Sequence, residues 1–167
     1  MSKSFSFSRR VLIMAFFNSF VYFFLRPKTA FADSKPLQDT FLRTDEEWKK
    51  ILPKEAYNVL RKEGTERPFT SFLNDEKREG VFYCAGCDFP LFSSTTKFDS
   101  GTGWPSFWDH LPDSIETKKD FKLIVPRTEY HCKRCGGHQG HVFNDGPRPT
   151  GKRYCNNGIA LTFRSNT

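Results

Sequence analysis

Five cysteines carry most of the chemistry open to this chain. Four stand in two CxxC pairs, Cys84 and Cys87 in "CAGC" and Cys132 and Cys135 in "CKRCGG". Paired CxxC spacing points to four thiolates around one tetrahedral zinc ion, a closed site that stabilises and does not catalyse. Gly86 and Gly136-Gly137 are placed for the tight turns that aim the sulfurs inward. Two disulfides or a redox-active CxxC are the alternatives. The fifth cysteine, Cys155 in "GKRYCNN", has no such partner. It is either an inert buried thiol or a nucleophile. As a nucleophile at neutral pH it needs a lowered pKa, since a thiol near 8.5 is only about 3% thiolate at pH 7 and one near 6.5 about 75%. Arg153 and Asn157 lie two residues to either side, which on a strand puts a cation and an amide on the same face. His138 and His141 in "GGHQGHVF" can place or donate a proton near neutral pH.

These residues need elements to hold them. "TDEEWKKIL" starts a helix with Thr44 as cap, Glu47 completing a capping box and Trp48, Ile51 and Leu52 on the apolar face. Pro53 opens a second helix, "PKEAYNVLRKEG", with Ala56, Val59 and Leu60 buried and Gly64 placed to end it. Beyond residue 65 the texture changes. "GVFYCA", "FKLIV", "TEYHC", "GHVF" and "GIALTF" are short β-branched and aromatic runs separated by Gly, Pro, Asn and Asp. The expectation is a mainly β domain of small antiparallel sheets with short N-terminal helices and a four-cysteine zinc site.

The chain of 167 residues suffices for one domain of ordinary size. Its net charge of +7 is concentrated at one end. Residues 1–32 hold Lys3, Arg9, Arg10, Arg26 and Lys28 and no acid, so the remainder is nearly neutral and a broad grip on nucleic acid is not indicated. The same segment has the parts of an export signal: Arg9-Arg10, the apolar run Val11 to Leu25, and "AFA" at Ala30 to Ala32 with cleavage before Asp33. "SRRVLI" is similar to a twin-arginine signal. Export to the bacterial periplasm is expected, the alternative being an uncleaved membrane anchor. Residues 33–40 read as a polar linker, and the folded domain as 41–165.

"GTERPFTSFLND", "SGTGWPSF" and "CGGHQGHVFNDGPRPTGKRYCNN", in this order with the two CxxC pairs, resemble the B-type methionine sulfoxide reductases. The resemblance covers about residues 41–164. It implies two antiparallel β-sheets, one structural zinc on Cys84, Cys87, Cys132 and Cys135, and reduction of the R epimer of methionine sulfoxide in proteins. It places Cys155 as nucleophile and Arg153, Asn157, His138 and His141 in the active site. Trp104 would wall the pocket for the substrate methyl group, with Phe107 shaping it, and Asp145 would orient a histidine or Arg153. His110 and His131 match no such position. Many members carry a second, resolving cysteine where this chain has Thr102. The cycle therefore implies a sulfenic acid on Cys155 reduced by a thioredoxin-like protein or a small thiol, in a monomer with no nucleic-acid partner. A zinc-ribbon interaction module and a zinc-stabilised thiol peroxidase are the rival readings.

Overall fold

The computed structural model describes residues 41, 43–122 and 124–166. The expected export segment 1–32 and linker 33–40 lie outside the described residues. Among the described residues no helix is long and apolar enough to cross a membrane.

Helix α1 (Asp45–Ile51) begins at the expected capping box. Thr44 N donates to Glu47 Oε2 at 2.7 Å, and Glu47 N donates to Thr44 Oγ1 at 3.3 Å. Such a cap contributes about 1 kcal/mol. Trp48 and Leu52 are buried, but Ile51 is exposed, so the apolar face is narrower than its spacing suggested. Helix α2 (Lys54–Lys62) buries Ala56, Val59 and Leu60 as expected. Its left-handed C-terminal residue is Glu63 (φ 55°), not Gly64, whose own N–H donates back to Asn58 O at 3.0 Å.

Among the described residues nine strands follow: β1 (Gly80–Cys84), β2 (Pro90–Ser93), β3 (Lys97–Phe98), β4 (Ser106–Phe107), β5 (Ile115–Asp120), β6 (Arg127–Cys132), β7 (His138–Phe143), β8 (Arg153–Asn156) and β9 (Leu161–Ser165). They form two antiparallel sheets, one ordered β2-β1-β9 and one ordered β3-β4-β8-β7-β6-β5. The described residues of "FKLIV" belong to no strand. The outermost strand is instead the charged "IETKKD" of β5, whose last pair is Asp120 with Arg127. Phe121, Ile124 and Val125 lie beyond that pair and are exposed. Lysines on β5 suit an edge strand, because they discourage a further strand from pairing there.

The core lies between the sheets and is mostly aromatic. Phe92 stacks on Phe107 with ring centroids 4.3 Å apart, and Phe82 meets Phe107 edge-on at 5.0 Å. Tyr130 packs on Phe92 and Tyr154. Aromatic pairs of this kind contribute about 0.5–1.5 kcal/mol each beyond area burial. Strand β8 sits inside the six-stranded sheet between β4 and β7, so Cys155 faces Ser106 on one side and His141 on the other. That close pairing requires glycine at 140, where a Cβ would fall 1.9 Å from the Cys155 carbonyl oxygen.

Candidate active site and metal centre

The two CxxC turns have the same construction. Each begins at the last residue of a strand, Cys84 of β1 and Cys132 of β6. In each, the residue four positions on donates its N–H to that cysteine's carbonyl at 2.8 Å: Asp88 to Cys84 and Gly136 to Cys132. Both donors are left-handed, Asp88 at φ 59° and Gly136 at φ 67°. Aspartate tolerates that region better than most residues do, so the first turn bends at Asp88 and not at Gly86. The four sulfurs lie within 4.8 Å of one another, with Cys84 to Cys135 at 3.7 Å and Cys87 to Cys132 at 3.5 Å.

Those separations are far beyond a disulfide bond. They match the edges of about 3.8 Å expected of a tetrahedron with metal–sulfur bonds of about 2.3 Å. The donor set can therefore hold a metal ion, and its chemistry is consistent with zinc. Shared hydrogen bonds with the other sulfurs, and then burial, hold the Cys84 thiol well above its ordinary value. Four thiolates at this spacing need a cation between them. Gln139 Nε2 donates to Cys84 Sγ at 3.4 Å, a bond to the site that spacing did not reveal. Because Cys84 belongs to one sheet and Cys132 to the other, an ion held by the four sulfurs would tie the two sheets together.

Cys155 is half-buried and opens into a small cleft of about 110 Å³. Trp104, His141, Phe143, Arg127 and Asn157 stand around it. The Thr102 hydroxyl and the Arg153 side chain both favour the ionised Cys155 sulfur. Arg153 is held from behind by two bonds to Asp145, Nε to Oδ1 at 2.9 Å and Nη2 to Oδ2 at 2.8 Å, and lies over the Phe143 ring at 4.4 Å. The expected depression of the thiol pKa is not what the resting site gives. Burial pushes Cys155 up, with the Arg153 charge and the hydrogen bonds from Thr102 and Arg153 opposing it.

Raised affinity for the proton means that little thiolate exists at pH 7, and that more forms as pH rises through and beyond the ordinary cysteine range. Single-turnover reduction should accelerate with pH up to that point. Arg153→Met removes the opposing cation and moves the thiol higher still. Less thiolate then remains at pH 7, and the rate there should fall about tenfold. Iodoacetamide alkylation of Cys155 against pH checks both statements. An unchanged alkylation profile in the variant would refute the role given to Arg153.

The histidines separate. His141 lines the cleft, and its Nε2 lies 2.8 Å from Asp120 Oδ2. The ionised carboxylate can only accept, so Nε2 carries the proton and Nδ1 is the basic nitrogen. Asp120 is held well below the usual carboxylate range by the Lys122 backbone N–H, then by His141 and Arg127. Burial pulls His141 below its ordinary pKa despite that carboxylate. His138 lies one layer behind, its ring 5.5 Å from that of His141 and 1% exposed, and burial pushes its pKa down to about 4. It does not line the cleft.

Two other expectations change. Phe107 is fully buried in the aromatic core, because β4 turns it toward Phe82 and Phe92, and it does not reach the cleft. Asn157 lies past the end of β8, and its amide is taken by backbone partners: Oδ1 accepts from Glu66 N at 3.0 Å and Nδ2 donates to Gln139 O at 2.9 Å. It positions the cleft wall. Asp145 belongs to Arg153, while the carboxylate orienting the cleft histidine is Asp120, distant in sequence and without a local signal.

Glu66 was equally hidden. Its carboxylate accepts the N–H groups of Gly158 and Ile159, and its carbonyl accepts Trp104 Nε1 at 3.2 Å. Glu66→Ala should leave Trp104 and the loop before it loosely held, raising KM about tenfold with a smaller change in kcat and costing about 1–3 kcal/mol of stability. Steady-state kinetics and a thermal melt check this. A KM that does not move would show that Trp104 keeps its place without Glu66. A larger groove, about 810 Å³, lies along α2 and the turn into β9, lined by Val59, Phe72, Ile159 and Leu161 among others. Neither Cys155 nor a histidine lines it.

A family profile described as the SelR domain matches residues 52–165. The peptide methionine sulfoxide reductase MsrB of Methanosarcina barkeri is 54% identical over 74% of this chain and 87% of its own length. The protein of the same name from Pseudomonas putida is 53% identical over 73% of this chain and 92% of its own length. The chloroplastic peptide methionine sulfoxide reductase B1 of rice is 52% identical over 78% of this chain, which spans 61% of that longer relative. A lone cysteine beside a bound arginine and histidine, a four-cysteine cluster joining two antiparallel sheets, and these likenesses agree. The chain belongs to the SelR-domain family of B-type methionine sulfoxide reductases, oxidoreductases that act on methionine sulfoxide.

Proposed function

We propose that the protein reduces the R epimer of methionine sulfoxide in oxidised proteins, with Cys155 as nucleophile. The supporting observation is that, among the described residues, Cys155 is the one thiol outside the metal cluster, and it opens into the cleft between Trp104 and His141. The Cys155 thiolate attacks the sulfoxide sulfur while the sulfoxide oxygen gains a proton. Oxygen passes to the cysteine sulfur, so Cys155 becomes a sulfenic acid and the substrate leaves as methionine. His141, its Nε2 proton fixed by Asp120, takes the proton of the Cys155 thiol on Nδ1 and passes it to the sulfoxide oxygen. Trp104 covers the methyl end. Arg153, fixed by Asp145, steadies the sulfur anion. His138 acts through His141, against which it packs.

Thr102 stands beside the sulfur where a resolving cysteine would be needed, and the other four thiols belong to the metal cluster. The sulfenic acid therefore condenses with an external thiol, releasing water, and a second external thiol restores Cys155. The structural ion is zinc, one per chain, and the working unit is a monomer. The folded domain is residues 41–165, preceded by a cleaved signal 1–32 and a linker, and the mature protein works in the periplasm. Recovery of periplasmic protein beginning at Asp33 tests that last statement, and retention of residues 1–32 on membranes would overturn it.

The central test is an epimer-resolved assay with several thiol donors, followed by mass analysis of enzyme oxidised by substrate alone. The expected result is consumption of the R epimer only, and a gain of one oxygen on Cys155 that dimedone traps. Turnover of the S epimer, or a disulfide within the chain involving Cys155, would refute it.

A further inference from the structure

Behind His141 three side chains from β6 and β7 converge, and both histidines among them keep buried ring nitrogens without hydrogen-bond partners. A Glu129 carboxylate oxygen and one ring nitrogen from each of His131 and His138 lie within 4.8 Å of one another. Glu129 is 2% and His138 1% exposed. The irregular register between Tyr130 and His131 sets His131 opposite His138. His131 Nδ1 lies 3.1 Å from the Gly136 carbonyl, which can only accept. The proton is therefore on Nδ1, and Nε2 keeps its lone pair. That Nε2 is buried and has no hydrogen-bond partner. His138 has none on either nitrogen: Nδ1 is 3.2 Å from Glu129 Oε2 but out of hydrogen-bond alignment.

Buried polar atoms are nearly always paired, and leaving one unpaired is costly. One such nitrogen from each histidine beside one buried carboxylate makes the donor set of a divalent cation. Two imidazoles and a carboxylate suit zinc in tetrahedral geometry, with water as the fourth ligand. The cation now facing Glu129 is Lys118 Nζ, 3.1 Å from Oε1. Its side chain is 62% exposed and already shared with Glu63, so it can turn to solvent.

We propose that Glu129, His131 and His138 form a second, weaker divalent-metal site that takes zinc after the four cysteines are filled. Occupancy fixes the His138 ring against which His141 packs, and so inhibits turnover. That inhibition rests on the reductase reading above, whereas the binding does not.

Protein carrying one zinc per chain is titrated with Zn²⁺ by calorimetry, and the same series is run in the reductase assay. A second equivalent is expected, with inhibition at the same midpoint. His131→Ala keeps the first zinc and weakens the second at least tenfold, moving the inhibition midpoint with it. Because His131 also braces the Gly136 turn, Lys118→Met gives an independent arm: it removes the competing cation and tightens the second zinc several-fold. No second equivalent in the wild type, or one that neither substitution moves, overturns the proposal. A second equivalent that both substitutions move, in a protein that fails to reduce either epimer, would leave the metal site standing and sink the reductase reading instead. Binding without inhibition would overturn the regulatory half.

Discussion

Replacing Cys155 by serine should abolish methionine sulfoxide reduction, by about a thousandfold or more, and should leave the metal content and the melting temperature nearly unchanged. The size of the loss follows from the chemistry. A serine hydroxyl ionises far above the range of a thiol, and its oxygen cannot be oxidised to carry the sulfoxide oxygen away. The substitution is nearly isosteric, and the backbone of β8 stays paired to Ser106 and His141 on either side. Arg153 keeps both bonds to Asp145. His141 keeps Asp120. Binding should therefore survive, and the loss should appear in kcat. Reductase assays with the R epimer, together with metal analysis of the same preparation, decide the matter. A variant retaining more than a few per cent of activity would move the nucleophile elsewhere, onto one of the four clustered sulfurs.

The second large effect is on folding. Cys132→Ser, or removal of the metal by a strong chelator, should unfold much of the domain and not merely slow it. Structural zinc in small domains contributes about 10–16 kcal/mol of apparent binding free energy, against a typical total stability of about 5–15 kcal/mol. The reason here is topological. Cys84 and Cys87 close the turn after β1 in the three-stranded sheet, and Cys132 and Cys135 close the turn between β6 and β7 in the six-stranded one. Without an ion, four thiolates within 4.8 Å of one another repel and should drive apart the turns against which Leu60 packs. His138 and Gln139 follow the second turn directly, so the strand that carries His141 loses its start. Circular dichroism and melting with and without chelator measure this. A chelated protein that keeps its melting temperature within a few degrees would show the aromatic core to be sufficient alone.

The two effects are separable by design. Loss of the nucleophile leaves the scaffold intact, while loss of a metal ligand removes scaffold and activity together. The second metal site proposed at Glu129, His131 and His138 behaves as neither, since it leaves the fold alone and changes activity only as Zn²⁺ is added.

Short-range patterns told much about this protein. The four-sulfur cluster was legible because CxxC turns are local: each needs only a strand end, a tight bend and a left-handed residue four positions on. The capping box at Thr44 and Glu47 and the buried stripe of α2 are equally local, decided by neighbours three and four residues apart. The lone standing of Cys155 followed from pairing off the other four cysteines. Even here the local signal misjudged detail, since Asp88 and Glu63 take left-handed positions that glycine was expected to hold.

What the tertiary structure alone decided involves partners far apart in the chain. Asp120 orients His141 across 21 residues, and Glu66 holds the turn after β8 from 92 and 93 residues away. Phe107 belongs to the core and Trp104 to the cleft, although both sit in one short loop-and-strand segment, because the pleat of β4 against β8 chooses which side chain faces inward. "FKLIV" has strand composition yet lies beyond the last β5–β6 pair, because register is settled by the partner strand and not by propensity. The protonation of Cys155 is the sharpest case. Arg153 beside it in sequence argues for a lowered pKa, but burial, a property of the whole packed domain, outweighs that neighbour. Residue types and spacing by themselves determined which groups could react. Packing decided how they are charged and what they face, because desolvation and hydrogen-bond partners are assigned only when distant segments meet.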